Sequence, residues 1–193
     1  MGEKSEQKRR YIVETARHIF EEKGYKQVTM KDIVEACNIS RGGLYLHFAD
    51  TESVFSEILH LECKAMDIFH GEDIDEDATA ADILILFLKE QKKQILQKEN
   101  SLDRAIYEFY FDNEELPKKD NLLKQQFDTS VLILQKLIET GVENGEFVCK
   151  DCEGKARSIM YILDGMKINA RTIGITGETV DKELLYILSE LGL

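Results

Sequence analysis

Long apolar runs are missing from this chain. None approaches the roughly 18 residues needed to cross a bilayer, the longest candidate lying at residues 83–88. The charged amino terminus has no apolar segment of the kind a secretory leader carries, so the expected compartment is the cytoplasm. Catalytic signatures are missing as well: there is no Ser-His-Asp arrangement, no phosphate-binding glycine loop and no HExxH zinc motif, which excludes the common enzyme classes that those motifs carry. We therefore expect neither an enzyme nor a resident cofactor or metal. Cysteine is scarce and scattered, at Cys37, Cys63, Cys149 and Cys152, and in the expected compartment these thiols stay reduced. Cys149-Lys-Asp-Cys152 is a lone C-x-x-C. A zinc site needs two further ligands, which the local sequence does not offer, and the four histidines, His18, His47, His60 and His70, are dispersed. Two readings of the pair stand: thiols that happen to lie near a helix start, or a redox or metal site. Proline occurs once, as Pro117, in a polar break. The acidic run 71–79, GEDIDEDAT, does not match EF-hand spacing and reads as an exposed loop.

What the chain has in excess is negative charge. The 25 Lys and Arg stand against 37 Asp and Glu, a formal net charge of −12. Such a balance opposes general affinity for nucleic acid, but it is unevenly distributed. Residues 1–51 hold nine basic against eight acidic side chains, whereas 52–193 hold sixteen against twenty-nine. An acidic body repels DNA and leaves any contact to a local patch, here Lys8, Arg9, Arg10, Arg17, Lys31 and Arg41 with Tyr45 and His47.

That patch surrounds the most informative stretch, Thr29 to Phe48, TMKDIVEACNISRGGLYLHF. Thr29 is placed to cap a short helix, with Asp32 three residues on as the reciprocal partner. Asn38 tolerates the left-handed backbone that ends such a helix, Ile39 plugs the corner and Ser40 caps the next. The spacing predicts a helix-turn-helix. In its second helix Leu44 and Phe48 face inward, leaving Arg41, Gly42, Gly43, Tyr45 and His47 on the remaining surface. Each glycine in a helix start costs up to about 1 kcal/mol relative to Ala, so the Gly42-Gly43 pair points to close approach by another surface. The major groove of DNA is such a surface, and recognition helices enter it by their N-terminal residues.

At Thr29, Ile33, Ile39, Ser40, Gly42, Leu44, Tyr45 and Phe48 the chain resembles the TetR/AcrR family of bacterial transcriptional regulators, and Ile12, Ala16, Phe20, Gly24 and Tyr25 fit that family's first helix. Three positions depart from the pattern: Asn38 replaces the usual turn glycine, Cys37 the usual small alanine, and Thr51 a common phosphate-contacting lysine. The resemblance implies a homodimeric, ligand-responsive repressor that leaves a palindromic double-stranded operator when a small lipophilic effector binds. Thr29, Arg41, Gly42, Gly43, Tyr45 and His47 are the expected DNA-binding residues. Arg41 is the expected base reader, and Thr29, Tyr45 and His47 the phosphate holders. Rival readings are a thiol redox or metal-binding protein using Cys149 and Cys152, and a helical dimerisation module that no longer binds DNA.

The rest of the chain reads as helix throughout, so the expected fold is all-α: a three-helix DNA-binding domain over 1–50 and a helical ligand-binding and dimerisation domain over 51–193, about nine helices in total. Gly2 to Arg10 is expected as a frayed basic arm that orders on DNA. Later helices are expected from residue 50 or 51 to about 71, 79 or 80 to 98, 101–111, 121–144, 152–172 and 179–191. Met66, Phe69, Phe87, Arg104, Tyr107, Tyr110, Phe127 and Met160 are candidates for an apolar effector pocket, each also a plausible core residue. The family resemblance places the last two helices in a four-helix dimer interface, through Ile159, Leu163, Asp164, Gly165, Met166, Leu184, Ile187, Leu188 and Leu191, with Asp164 either at that interface or touching ligand.

Overall fold

The computed structural model describes residues 3–65, 77–97, 101–113 and 121–193, with side chains to residue 62 in the first stretch, and all regular structure among them is helical. In order the helices are α1 (Glu3–Lys23), α2 (Met30–Cys37), α3 (Arg41–Tyr45), α4 (Thr51–Ala65), α5 (Ala80–Leu96), α6 (Asp103–Asp112), α7 (Leu122–Glu143), α8 (Cys152–Arg171) and α9 (Gly177–Ser189). They pack as two units. One takes Met1–Met66 with Lys98–Leu122, the other Asp67–Gln97 with Leu123–Leu193. Packing therefore groups α4 and α6 with the first three helices, where the sequence suggested a boundary after residue 50.

In the first unit, Ile12, Ala16 and Phe20 of α1, Ile33 of α2, Leu44 of α3 and Phe48 after it are all but sealed from solvent. Val54, Phe55 and Ile58 of α4 and Ala105 and Phe109 of α6 close the same core, with Val34 and Ile39 at its margin. Each buried Ile, Leu or Phe contributes about 1.5–3 kcal/mol relative to an exposed one. Phe55 is the hub, its ring 4.7 Å from Phe20, 5.1 Å from Tyr25 and 5.3 Å from Phe109.

The expected frayed arm is helix instead. α1 is continuous from Glu3, because Lys4–Arg10 contains no helix breaker and Arg9 is held at three points. Its guanidinium donates to the His47 carbonyl at 2.8 Å and to Glu57 at 2.7 Å, and lies 4.3 Å above the Phe48 ring. The turn between α1 and α2 is fastened from α6. Gly24 has φ +77°, and a Cβ there would stand 2.6 Å from Glu108 Oε2. That carboxylate accepts the Lys26 backbone N–H at 3.0 Å, and Lys26 pairs with Asp112 at 2.6 Å. Burial opposes ionisation of Glu108, but the Lys26 amide and the Arg104 guanidinium hold its carboxyl below the usual range.

The second unit is built from α5, α7, α8 and α9 around Leu84, Ile95, Ile138, Ile159, Leu163 and Ile187. Thr79 and Asp82 form a reciprocal cap on α5, Asp151 caps α8 and Thr176 caps α9, which begins two residues earlier than Thr179 suggested. Lys92 joins α5 to Asp181 of α9 at 2.5 Å, and Lys155 joins α8 to Glu190 at 2.7 Å.

Of the expected dimer residues, Ile159, Leu163, Met166, Leu184, Ile187 and Leu191 lie inside this chain's own core, none more than 8% exposed. Asp164, Gly165 and Leu188 are half-buried. α8 and α9 are apolar on two sides, and helical periodicity alone did not tell the inner side from the outer.

Candidate nucleic-acid interface

Local chemistry makes the reading head. The Thr29 hydroxyl accepts the Asp32 amide at 3.3 Å while the Asp32 carboxylate accepts the Thr29 amide at 2.8 Å, a complete capping box that satisfies two of the orphan N–H groups at the start of α2. Lys23 first, then Thr29, lowers the Asp32 carboxyl far below the ordinary carboxylate range. Asn38 ends α2 in the left-handed region, φ 50° and ψ 46°, and its N–H returns to the Glu35 and Val34 carbonyls. Ser40 then caps α3, its hydroxyl accepting the Gly43 N–H at 3.1 Å. Two caps and one left-handed residue thus set the angle at which α3 leaves α2.

α3 is short and anchored on one side. Leu44 and Phe48 are 0% and 2% exposed, which turns Arg41, Gly42 and Tyr45 outward. The Arg41 guanidinium lies 5.5 Å from the centroid of the Tyr45 ring, a cation–π contact. A Cβ on Gly42 would meet nothing within 4 Å, so no contact inside the subunit demands glycine there. Gly43 is half-buried, 3.1 Å from the Ser40 hydroxyl and 3.7 Å from the Lys8 ammonium by the same measure. Lys8 therefore stands over the first turn of α3. His47 is also half-buried, its carbonyl engaged by Arg9.

The cationic patch is smaller than charge counting suggests. Arg9 pairs with Glu57, Arg17 with Glu21 and Glu62, Lys23 with Asp32 and Lys31 with Glu35. Lys8, Arg10 and Arg41 form no ion pair among the described residues and keep their full charge for an external anion. Thr29, expected to hold a phosphate, has its hydroxyl committed to Asp32, to which it also donates at 2.5 Å. Leu46, 84% exposed beside Tyr45, was not singled out by periodicity because it follows the last turn of α3. An exposed leucine there is an apolar contact available to a thymine methyl.

The expected pocket residues divide between the units. Tyr107 and Tyr110 are half-buried on α6 in the first, Tyr110 edge-on to Phe109 at 5.2 Å. Arg104 is exposed and bonded to Glu108 at 2.7 Å. Phe87 and Met160 fill the second unit's core at 7% exposure each, and Phe127 packs on Tyr161 at 5.0 Å. Met66 and Phe69 lie outside the described residues. Among the described residues no group of three His, Cys, Asp or Glu side chains is arranged to hold a metal, and no helix is long and apolar enough to cross a membrane.

Residues 12–58 match the family model described as bacterial regulatory proteins, tetR family, and residues 83–181 match the tetracyclin repressor-like C-terminal domain. The HTH-type transcriptional regulator YfiR of Bacillus subtilis is 27% identical over 140 residues, 70% of this chain and 66% of its own length. A second Bacillus subtilis regulator, YuxN, is matched over only 19% of its length, at 33% identity across 54 residues. The HTH-type transcriptional regulator QacR of Staphylococcus aureus is 25% identical over 159 residues, covering 80% of this chain and 81% of QacR. Among solved structures, a TetR transcription regulator from Haloarcula marismortui superposes with a TM-score of 0.80 at 17% identity, covering 97% of each chain. A regulator from Saccharomonospora viridis in complex with choline gives 0.76 at 22% identity, covering 95% of each. With one model matched by the reading head and a second by just over half of the chain, the protein belongs to the TetR family of bacterial regulatory proteins.

Proposed function

We propose that this chain is a dimeric, ligand-responsive repressor that binds a palindromic operator in the cytoplasm. The observation that supports it best is the head of α3. Arg41, Gly42 and Tyr45 face outward on a helix whose other side is locked by Leu44 and Phe48, with Lys8 beside its first turn. Arg41 reads a base, most economically the two acceptors of guanine, and Lys8 and Arg10 with Tyr45 and His47 hold phosphates. Thr29 contributes by fixing the start of α2 unless its hydroxyl leaves Asp32 for a phosphate.

Dimerisation uses the outer side of the last two long helices. Tyr161, Leu185 and Tyr186 are each more than 60% exposed, and a shallow groove along α8 is lined by Gly154, Arg157, Ser158, Tyr161 and Ile162. A two-fold pair matches the symmetry of a palindromic operator, whose half-sites lie one helical turn, roughly 34–36 Å, apart. A small lipophilic effector acts by preferring a head spacing that the operator cannot accept, since only differential affinity shifts such an equilibrium. The test is a gel shift against the DNA flanking the chain's own gene, repeated across salt concentrations. Steeply salt-dependent, site-specific retardation supports the reading, and retention of full affinity by Arg41→Ala removes Arg41 from it. A thermal-shift screen with lipophilic compounds, quaternary ammonium compounds among them, tests the effector.

A further inference from the structure

The C-x-x-C pair has no place in the proposed DNA contact, and its two cysteines flank the start of one helix. Cys152 is the first residue of α8 and Cys149 lies three residues before it, on the far side of the capping residue Asp151. Both are part-exposed free thiols packed on the edge of the same core, and the Cys149 sulfur neighbours the Cys152 thiol. Cys37, by contrast, is buried. The segment carrying the pair is tied at several points: Phe147 packs under Gly141, Glu146 accepts the Ala81 N–H at 2.9 Å, and Val148 donates to the Leu191 carbonyl at 2.9 Å. A change of geometry at 149–152 is therefore felt at the ends of α5, α7 and α9 together.

We propose that Cys149 and Cys152 form a reversible dithiol–disulfide site through which a hydroperoxide lowers operator affinity. Cys149, outside the helix, takes the attack, and Cys152, the first residue of α8, the resolving step. The Cys149 thiolate attacks the distal peroxide oxygen, forming an S–O bond as the O–O bond breaks and the alcohol or water departs. The Cys152 sulfur then attacks the sulfenic sulfur, forming the S–S bond while the S–O bond breaks and water leaves with the Cys152 proton. Two thiols lose two electrons and the peroxide gains them. Burial first, then the Cys149 thiol and the carboxylates of Glu139 and Asp151, raises the Cys152 thiol, which keeps it a resolving group. The ring so closed contains Asp151, whose Oδ1 accepts the Gly154 N–H at 2.9 Å. Oxidation therefore acts on the first turn of α8, the helix whose outer side is assigned above to the dimer. The regulatory half of this proposal rests on that reading.

The experiment uses the full chain, reduced, then treated with stoichiometric hydrogen peroxide and trapped. Trypsin cleaves after Lys150, between the two cysteines, so the disulfide form yields residues 137–150 linked to 151–155, with a mass about 2 Da below the sum of the two reduced peptides. Thiol titration of the denatured protein falls from four to two. Operator affinity falls about fivefold or more and returns with dithiothreitol, and Cys149→Ser and Cys152→Ser abolish both the link and the response. Absence of the linked pair, or sulfinic acid at Cys149 in its place, overturns the proposal. A linked pair with operator affinity unchanged overturns the regulatory half. Reduced protein that binds no operator refutes the repressor reading, while the peptide readout still decides the thiol chemistry.

Discussion

Arg41, the proposed base reader, holds its guanidinium 5.5 Å from the centroid of the Tyr45 ring. Arg41→Ala should weaken binding to the cognate operator by about 1–3 kcal/mol and relax specificity at one base position. Lys8→Ala with Arg10→Ala should weaken all sequences alike and flatten the salt dependence by about one unit of slope per side chain; titrations at several salt concentrations separate the two. Asp32 carries a different expectation. Its carboxyl is lowered in the folded chain by Lys23 and Thr29, so its contribution is fully present above the unfolded value, about 4, and is lost as pH falls through the lower folded one. Asp32→Asn should abolish that part of the acid dependence, read as a flatter fall of melting temperature below about pH 4. The caps at Thr29, Asp32 and Ser40 and the left-handed turn at Asn38 were legible in advance because they are local chemistry. The pairing of Arg9 and Arg17 was not, since Glu57 and Glu62 reach them only after α4 packs on α1.

Elements were mostly legible, and their errors are instructive. Periodicity placed α2, α5, α7 and α8 within a residue or two, because apolar stripes and Ser, Thr or Asp caps mark both period and start. It missed the first two turns of α1, where no apolar residue reports on helicity and the ordering comes from Arg9 on Phe48 and His47. Glycines test the packing between elements. Gly141 lies in α7, where a Cβ would stand 2.2 Å from the Phe147 ring. Gly141→Ala should therefore destabilise by about 1–3 kcal/mol despite its better helix propensity, measurable by urea unfolding. Gly24→Ala should destabilise the first unit for two reasons, its φ of +77° and the Glu108 carboxylate 2.6 Å from the new methyl group. Gly42→Ala should leave folding unchanged, as nothing lies near it, and should weaken DNA binding if α3 docks closely in the groove.

For the whole molecule, the surface that tests the proposed dimer is the outer side of α8 and α9. Leu185→Asp with Tyr186→Asp removes two exposed apolar side chains and should yield a folded monomer by light scattering, with operator affinity falling because two heads no longer bind as one. Ile159→Asp, at 1% exposure, should instead unfold the second unit, which separates the inner face from the outer. The charge asymmetry also belongs to this scale. An acidic body repels the duplex, so the proposed binding rests on Lys8, Arg10 and Arg41 of the head.

The order of residues alone determined that this chain is helical, where most helices begin, and which twenty residues make the reading head, because capping, left-handed turns and 3.6-residue periodicity act within a few positions of one another. Tertiary structure decided which arginines are left without an acidic partner, which side of α8 and α9 faces inward, and that α6 grips the α1–α2 turn. Those depend on partners far along the chain, such as Glu57, 48 residues from Arg9, and Glu108, 82 residues from Lys26. Local patterns carry no term for a neighbour that arrives only on folding.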